Sequence, residues 1–432
     1  MSEERGRLDF MKVLGIITEY NPFHNGHLYH LNRSLELSNA DYTVCVMSGN
    51  FVQRGKPAII NKWDRSMMAL KAGVDLILEL PTVYSLRSAE YFAYGSVQTL
   101  NKTGIVDELI FGSELGEINP LIELGEVLAK EPEELSNLIQ TELKSGSSFP
   151  EARANALAKY FANQKKTLEP EQVKSIINNP NNILGIEYIK ALFRTNSEIT
   201  PSTIERQGAN YHQSKVKGRI ASATAIRKKI IENQSIKPLN NVLATYSQNI
   251  LKKSIQNEKA PISLNNFELP LLTILIRTTT NELKKIEGIS GGLENRIKDA
   301  AHRATSLLKL ISLIETRRFT RTRIQRILMH LLLNLKEELL NKFDNNGGPQ
   351  YLRILAFSKK GQQLLSLIKE NSKVPIINRL ANHYKSHYPP NSLKKEMLAI
   401  DIKASDIYAL AYNNPKFRQG GSDYTQPIIL KN

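Results

Sequence analysis

Between residues 12 and 114, short apolar runs alternate with longer amphipathic stretches. Val13-Leu-Gly-Ile-Ile17, Tyr42 to Met47, Asp75 to Leu80 and Glu108 to Phe111 hold few alternating polar positions, as strands do when helices cover both faces of a sheet. The stretches between them, His27 to Leu37, Lys62 to Ala72 and Ser88 to Leu100, have helical spacing. The order βαβαβαβ predicts an α/β fold with a doubly wound parallel sheet, Rossmann-like, whose ligands bind beyond the carboxyl ends of the strands. From Pro120 to about Phe193 the pattern is helical. Ile199 to Arg206 reads as a further strand, and Ser222-Ala-Thr-Ala-Ile-Arg227 opens a helix. The α/β domain is therefore expected to span residues 1–235. Residues 236–432 form an expected second, mainly helical and basic domain. Its apolar segments, Leu271 to Arg277, Leu307 to Ile314, Ile324 to Leu335 and Gly361 to Ile368, carry little strand signal, and Asn345-Asn-Gly-Gly-Pro349 is a turn between helices.

Composition narrows the class. The chain has 432 residues, 41% hydrophobic and 23% charged, enough for two packed domains. No stretch reaches the roughly 18 to 20 uninterrupted apolar residues of a membrane span. The first ten residues are polar and charged where an export signal would be apolar, so the expected compartment is the cytoplasm. Cys45 is the single cysteine, which excludes an internal disulfide and a cysteine-clustered metal site. Its apolar surroundings favour a buried strand position over a nucleophile.

Charge is unevenly distributed. Of the net +16, residues 1–200 hold 20 Lys+Arg against 25 Asp+Glu, and the remainder 38 against 17. A mildly acidic half joined to a strongly basic one suggests a catalytic part joined to a holder of polyanion, nucleic acid foremost. A basic surface kept for solubility is the alternative.

The chemistry concentrates where the first strand ends, in Thr18-Glu-Tyr-Asn-Pro-Phe-His24-Asn-Gly-His27. A helix start offers unsatisfied N–H donors and a favourable dipole to phosphate, and Gly26 permits close approach. His24 and His27, three residues apart, reach one side of that turn and can hydrogen-bond phosphate oxygens, stabilising charge in an in-line transfer. Half a metal site and ordinary turn histidines are the competing readings, and no Cys or carboxylate cluster completes a metal set. His30, one turn on, is either a ligand contact or a helix-surface residue. Ser222 and Thr224 either cap a helix or grip phosphate, with Arg227 one turn further.

A strand running into His-x-Gly-His at a helix start resembles the nucleotidylyltransferase superfamily, akin to the catalytic domains of class I aminoacyl-tRNA synthetases. At closer range, Glu19-Tyr-Asn-Pro-Phe-His-Asn-Gly-His-Leu-Tyr-His30, Val46-Met-Ser-Gly-Asn-Phe-Val-Gln-Arg-Gly55, Phe111-Gly-Ser-Glu114 and Pro180-Asn-Asn-Ile-Leu-Gly-Ile-Glu-Tyr188 resemble the tRNA(Met) cytidine acetate ligase family nearly end to end. The resemblance implies that ATP activates acetate as acetyl-adenylate, which then acetylates N4 of the wobble cytidine, position 34, of elongator tRNA(Met). It implies catalytic roles for His24 and His27. Its ATP loop falls on Ile17, Thr18, Glu19, Tyr20, Asn21, Pro22, Phe23, His24, Asn25, Gly26, His27, Leu28, Tyr29 and His30. Further nucleotide contacts fall on Gly112, Asn181 or Asn182, Arg206, Ser222, Thr224 and Arg227. For these residues the structural alternatives are a strand-end glycine at 112, a helix cap at 182 and a surface strand position at 206. Gln53 or Arg54 faces acetate or nucleotide. Mg²⁺ is expected to assist the phosphoryl transfer, and no protein-held metal is assigned.

In the basic half, Arg317, Arg318, Arg321, Arg323 and Arg326 crowd a helix start and suit RNA phosphate, with Phe319 as a stacking face. A solvated helix face is the alternative. Lys215, Lys217, Arg219, Lys359 and Lys360 are secondary candidates. Two other functions fit the sequence: a small-molecule adenylyl- or cytidylyltransferase with an oligomerising helical half, and a non-catalytic RNA-binding protein with a degenerate nucleotide site.

Overall fold

The structure, a computed structural model, describes residues 11–206, 220–381 and 392–431. β1 (Val13–Thr18) leads into α1 (Asn25–Ser38), followed by β2 (Tyr42–Ser48), a hairpin of β3 (Phe51–Val52) and β4 (Lys56–Pro57), α2 (Lys62–Ala72) and β5 (Leu76–Leu80). Next come α3 (Thr82–Ser85), α4 (Ala89–Asn101), β6 (Glu108–Ser113), α5 (Ile118–Lys130), α6 (Glu133–Lys144), α7 (Phe149–Asn163), α8 (Pro170–Ile177), α9 (Pro180–Arg194) and β7 (Thr200–Glu205). Beyond residue 220 run α10 (Ala223–Asn233), α11 (Thr245–Gln256), α12 (Glu268–Arg277), α13 (Thr280–Leu283), α14 (Leu293–Arg303), α15 (Leu307–Ile314), α16 (Arg321–Leu333) and α17 (Glu337–Asn345). The chain closes with β8 (Leu352–Ser358), α18 (Gly361–Asn371), β9 (Ile376–Ile377), α19 (Leu393–Ala409), α20 (Ser422–Thr425) and β10 (Ile429–Lys431).

The main sheet has the order β10-β8-β5-β2-β1-β6-β7, with β9 beside β8. Its neighbours are parallel except β5 and β8. Alternate residues of each strand serve two cores. Val13, Val44, Val46, Leu76, Leu78 and Leu109 face one side, and Leu14, Ile16, Cys45, Met47, Ile77 and Ile110 the other. Both faces are apolar because helices cover both, as the continuous apolar runs indicated. Cys45 is buried in the second core, where Thr18 Oγ1 lies 3.2 Å from its sulfur, and burial pushes the thiol up to about 12.

The expected boundary near residue 235 does not bound the sheet. β8, β9 and β10 come from the second half and extend the same layer past β5. The rest of that half is helical, as expected. β8 was missed because Leu-Arg-Ile-Leu-Ala-Phe-Ser is short and carries a charge at its second position, and periodicity cannot separate such a run from a buried helix. Arg353 is tolerated inside the sheet because it meets Glu79 at 3.2 Å and Asp423 at 3.1 Å. Lys62 joins the same buried cluster, 2.8 Å from Glu79 and 3.0 Å from Asp423.

Connections run outward in both directions from β1, so the strand order reverses between β1 and β6. Ligands of open α/β sheets occupy the crevice beyond the carboxyl ends of the strands at such a point.

Candidate active site

A cavity of about 350 Å³ opens at this reversal, lined by residues that follow β1, β6 and β7 and by the start of α10. The chain leaves β1 through Tyr20, which holds a left-handed φ of 44°. It then turns into α1 with His24 as the capping residue. The cap fixes the chemistry of both histidines. His24 Nδ1 accepts from the Gly26 N–H at 3.1 Å, and His27 Nδ1 accepts from the His24 N–H at 3.3 Å. With both Nδ1 atoms accepting, each ring proton sits on Nε2, the free donor. The rings stack with centroids 3.7 Å apart.

Burial, helped by the charges of Arg206 and Arg227, lowers His24 to about 3. Burial and the neighbouring His24, with Arg206, His30 and Arg227 beyond it, hold His27 well below its usual value. His30 is lowered to about 4 by burial and Arg206, and its Nε2 is buried without a partner among the described residues. All three are therefore neutral near pH 7. His24 and His27 are hydrogen-bond donors that bring no charge of their own, suited to charge that builds up only during reaction.

Of the loop expected to hold ATP, Ile17, Thr18, Glu19, Tyr20, His24, Gly26, His27, Tyr29 and His30 line the cavity. The others frame it. Asn21 Oδ1 accepts from the Ile59 N–H at 2.8 Å, and the Asn21 carbonyl accepts from Arg227 Nη1 at 2.7 Å. Pro22 and Phe23 are buried beneath the loop, Asn25 bonds the Asn241 carbonyl at 3.0 Å, and Leu28 packs on the second core.

Gly112, Arg206, Ser222 and Thr224 also line the cavity. A methyl group on Gly112 would stand 3.2 Å from Arg206 Cγ and 3.6 Å from His30 Cδ2, so the glycine leaves room between these two side chains. Ser222 caps α10, accepting from the Ala225 N–H at 3.2 Å, so capping and a place at the cavity coexist. Arg227 stands behind the wall, bonded to Asn21 and, at 3.2 Å, to Thr224 Oγ1.

The pair Asn181 and Asn182 divides. Asn181 lines the cavity and donates to Glu114 Oε1 at 2.6 Å. Asn182 is buried elsewhere: its Oδ1 accepts from the N–H groups of Glu114 and Leu115 at 2.8 and 3.1 Å, and its Nδ2 donates to the Ile176 carbonyl at 3.1 Å. It is not among the residues lining the cavity, and the cap of α9 is Asn179. Asn182 pins the turn after β6, a role that depends on a partner 68 positions away and leaves no local pattern.

Gln53 and Arg54 both reach the cavity. The opposite wall, Ala89, Phe92, Phe111, Leu184 and Tyr188, was not singled out from the sequence. Phe111 and Tyr188 lie inside the quoted motifs, while Ala89 and Phe92 sit on a helix with no distinguishing signal.

The arginine-rich segment starts α16 beside the β3–β4 turn. A Cβ on Gly55 would lie 2.2 Å from the Arg326 backbone nitrogen, so the turn rests on the helix itself. Arg317 and Arg318 are exposed. Arg321 pairs with Glu315 at 3.2 Å, Arg323 donates to the Gly288 carbonyl at 2.9 Å, and crowding by burial, Arg323 and Arg54 lowers Arg326 to about 10. Phe319 is a correction: it is buried, with the guanidinium groups of Arg318 and Arg323 over its ring at 5.5 and 5.3 Å, and offers no face to a base. Lys56 on the hairpin feels Arg227, Arg54 and Arg321, so positive charge continues from the cavity to α16. Lys360 bonds the Asp41 carbonyl and lies over the Tyr42 ring, at the amino end of β2 and away from this edge. Lys215, Lys217 and Arg219 lie outside the described residues. Among the described residues no cluster of three His, Cys, Asp or Glu side chains forms a metal cage.

The model of the HIGH Nucleotidyl Transferase family matches residues 11–423. The chain is 45% identical to the tRNA(Met) cytidine acetate ligase of Halothermothrix orenii, covering 97% of this chain and 99% of that one. It is 46% identical to the Acetivibrio thermocellus protein of the same name over 97% and 100% of the two chains. Two solved structures of Thermotoga maritima TmcAL are 37% identical and cover 97% of this chain and 99% of theirs. The apo form superposes with a TM-score of 0.93, and the form bound with alpha-thio ATP with 0.91.

Proposed function

The chain belongs to the tRNA(Met) cytidine acetate ligase family of HIGH nucleotidyl transferases, and from that premise we propose that it activates acetate with ATP and acetylates N4 of the wobble cytidine of elongator tRNA(Met). ATP lies in the cavity after β1, its phosphates facing the two histidines and the Ser222–Thr224 helix start. An acetate oxygen attacks the α-phosphorus in line, a P–O bond forms, the bond to the β-phosphate oxygen breaks, and pyrophosphate leaves. The Nε2–H groups of His24 and His27 donate to the oxygens on which charge accumulates. Acetyl-adenylate stays bound against the apolar wall, and the cytidine amino group displaces AMP. Holding two reactants together can by itself contribute about 7 to 11 kcal/mol to such a step. Mg²⁺ bound with the ATP phosphates would neutralise charge on the departing pyrophosphate.

The RNA is held by the positive charge that runs from Arg54 and Lys56 to the exposed Arg317 and Arg318. A tRNA substrate and ATP make the cytoplasm the working compartment. No helix among the described residues is long and apolar enough to cross a membrane.

The observation that carries this reading is the pair of neutral histidines with occupied Nδ1 atoms at the mouth of β1. ATP–pyrophosphate exchange tests it, with and without acetate, without tRNA, and in His27→Ala. Exchange that needs acetate and disappears in the variant is expected. Exchange indifferent to acetate would return the small-molecule transferase reading.

A further inference from the structure

The second half-reaction needs a group that the first does not use. As cytidine N4 adds to the acetyl carbonyl, an N–C bond forms and N4 is left with a proton too many. AMP departs with the electron pair of the C–O bond and, as a phosphate, needs no acid to help it. The step therefore requires a base near the amine.

Among the described residues the cavity offers few. His24 and His27 have Nδ1 bound to backbone N–H groups and Nε2 already protonated, and His24 and His30 are held at about 3 and 4. Arg54 and Arg206 are cations, and burial raises the Tyr188 hydroxyl well above its usual range. Among the described residues two carboxylates line the cavity, Glu19 and Glu205. Glu205 ends the edge strand β7 and is exposed, packed beside Gly116 on the far side from the hairpin.

Glu19 follows β1 directly and is fixed at both ends. Its carbonyl accepts from Arg65 Nη1 at 2.7 Å, and its Oε1 accepts from the Gln53 N–H at 2.8 Å. Its Oε2 has no hydrogen-bond partner among the described residues. Its charge reaches Arg54, Arg227 and Tyr188. It thus stands between the phosphate-facing histidines and the hairpin that leads to α16, on the side from which RNA held by the arginines enters.

We infer that Glu19 is the general base of the acetyl-transfer step, accepting on Oε2 the proton that N4 loses as AMP leaves and releasing it to water after the product departs. This rests on the ligase reading above.

Glu19→Gln tests it. Gln keeps an oxygen to accept from the Gln53 N–H and replaces only the free one. Two rates are read: acetate-dependent ATP–pyrophosphate exchange without tRNA, and single-turnover transfer of labelled acetyl from the bound adenylate to tRNA at several pH values. The transfer rate is expected to fall by about 100-fold or more, the usual worth of a positioned base, and by at least ten times more than exchange. The rise of the wild-type transfer rate with pH should vanish in the variant. Equal losses in both rates, a surviving pH limb, or loss of transfer in Glu205→Gln with Glu19→Gln unaffected each overturns the assignment. Absence of acetate-dependent exchange in the unaltered protein overturns the ligase reading and this assignment with it, a result separable from intact exchange with transfer indifferent to Glu19.

Discussion

Gly55→Ala isolates the contact between the hairpin and the arginine-rich helix. Gly55 has a φ of 67°, and a methyl group there would lie 2.2 Å from the Arg326 nitrogen, 2.4 Å from the Gln325 carbonyl carbon and 2.6 Å from Arg326 Cα. The left-handed backbone alone costs an L-residue about 1 to 2 kcal/mol. The clash adds about 1 to 3 kcal/mol, since every atom met is helix backbone and none is a side chain able to turn away. α16 cannot retreat, because Ile324, Ile327 and Leu328 anchor it in the main core. The β3–β4 hairpin, with two residues in each strand, yields instead. It must move by roughly 1 Å to restore ordinary contact. Gln53 and Arg54 then shift away from Glu19, and the 2.8 Å bond to its carboxylate is strained or lost. Urea denaturation should show a loss of about 2 to 5 kcal/mol. Acetyl transfer to tRNA should fall more than ATP–pyrophosphate exchange, because the moving part is the one proposed to face the RNA, and the histidine cap stays in place. A variant within about 0.5 kcal/mol of wild type with unchanged transfer would refute the claim that the hairpin is seated on the helix backbone.

Acid should destabilise the fold well before its carboxylates protonate. His24, His30 and His330 are held near 3, 4 and 4 in the native protein, against an ordinary value of 6.5, so below pH 6.5 the unfolded chain takes up protons that the native one does not. Their contribution is complete above that value and is lost as pH falls towards about 4, by about 1.4 kcal/mol per pH unit for each histidine. Urea midpoints that stay level from pH 7 to pH 5 contradict this. Asp423→Asn leaves Lys62 and Arg353 buried with Glu79 as their ion-pair partner and Asp401 acting on them without a direct pair, and chemical denaturation should register about 3 to 5 kcal/mol. A loss under 1 kcal/mol means that the cluster is hydrated. The double variant Arg317→Ala, Arg318→Ala should weaken RNA binding and reduce the slope of log affinity against log salt by about 1 to 2. An unchanged slope removes these two residues from the RNA surface.

Local pattern carried the first half of the fold and the middle of the site. Lys62–Ala72 and Leu307–Ile314 run as their periodicity indicated, and β1, β2, β5 and β6 lie within a residue or two of the apolar runs that announced them. His24 and His27 were readable because chemistry and helix start share ten consecutive residues. Their tautomers were not, since each depends on which backbone N–H reaches Nδ1. What escaped the sequence was made by distant pairing. β8 is a strand only because β5 and Asp423 receive its arginine, Asn182 answers to a turn after β6, and Phe319 is buried beneath the arginines it was expected to accompany.

The same distant pairings explain how one chain serves two large substrates. Had the second half been a separate helical module, ATP and RNA would meet across a linker. Instead β8 and β10 extend the catalytic sheet, and Lys62, Glu79, Arg353 and Asp423 tie α2, β5, β8 and α20 through buried charge. Breaking such a cluster on one side leaves an uncompensated buried ion, so the two halves cannot part at this seam without that penalty. On the opposite side the β3–β4 turn sits on α16 without room for a methyl group. The arginines are thereby held at a set distance from the histidine cap. With RNA held by these arginines as proposed, that fixed distance would place its base beside a waiting adenylate.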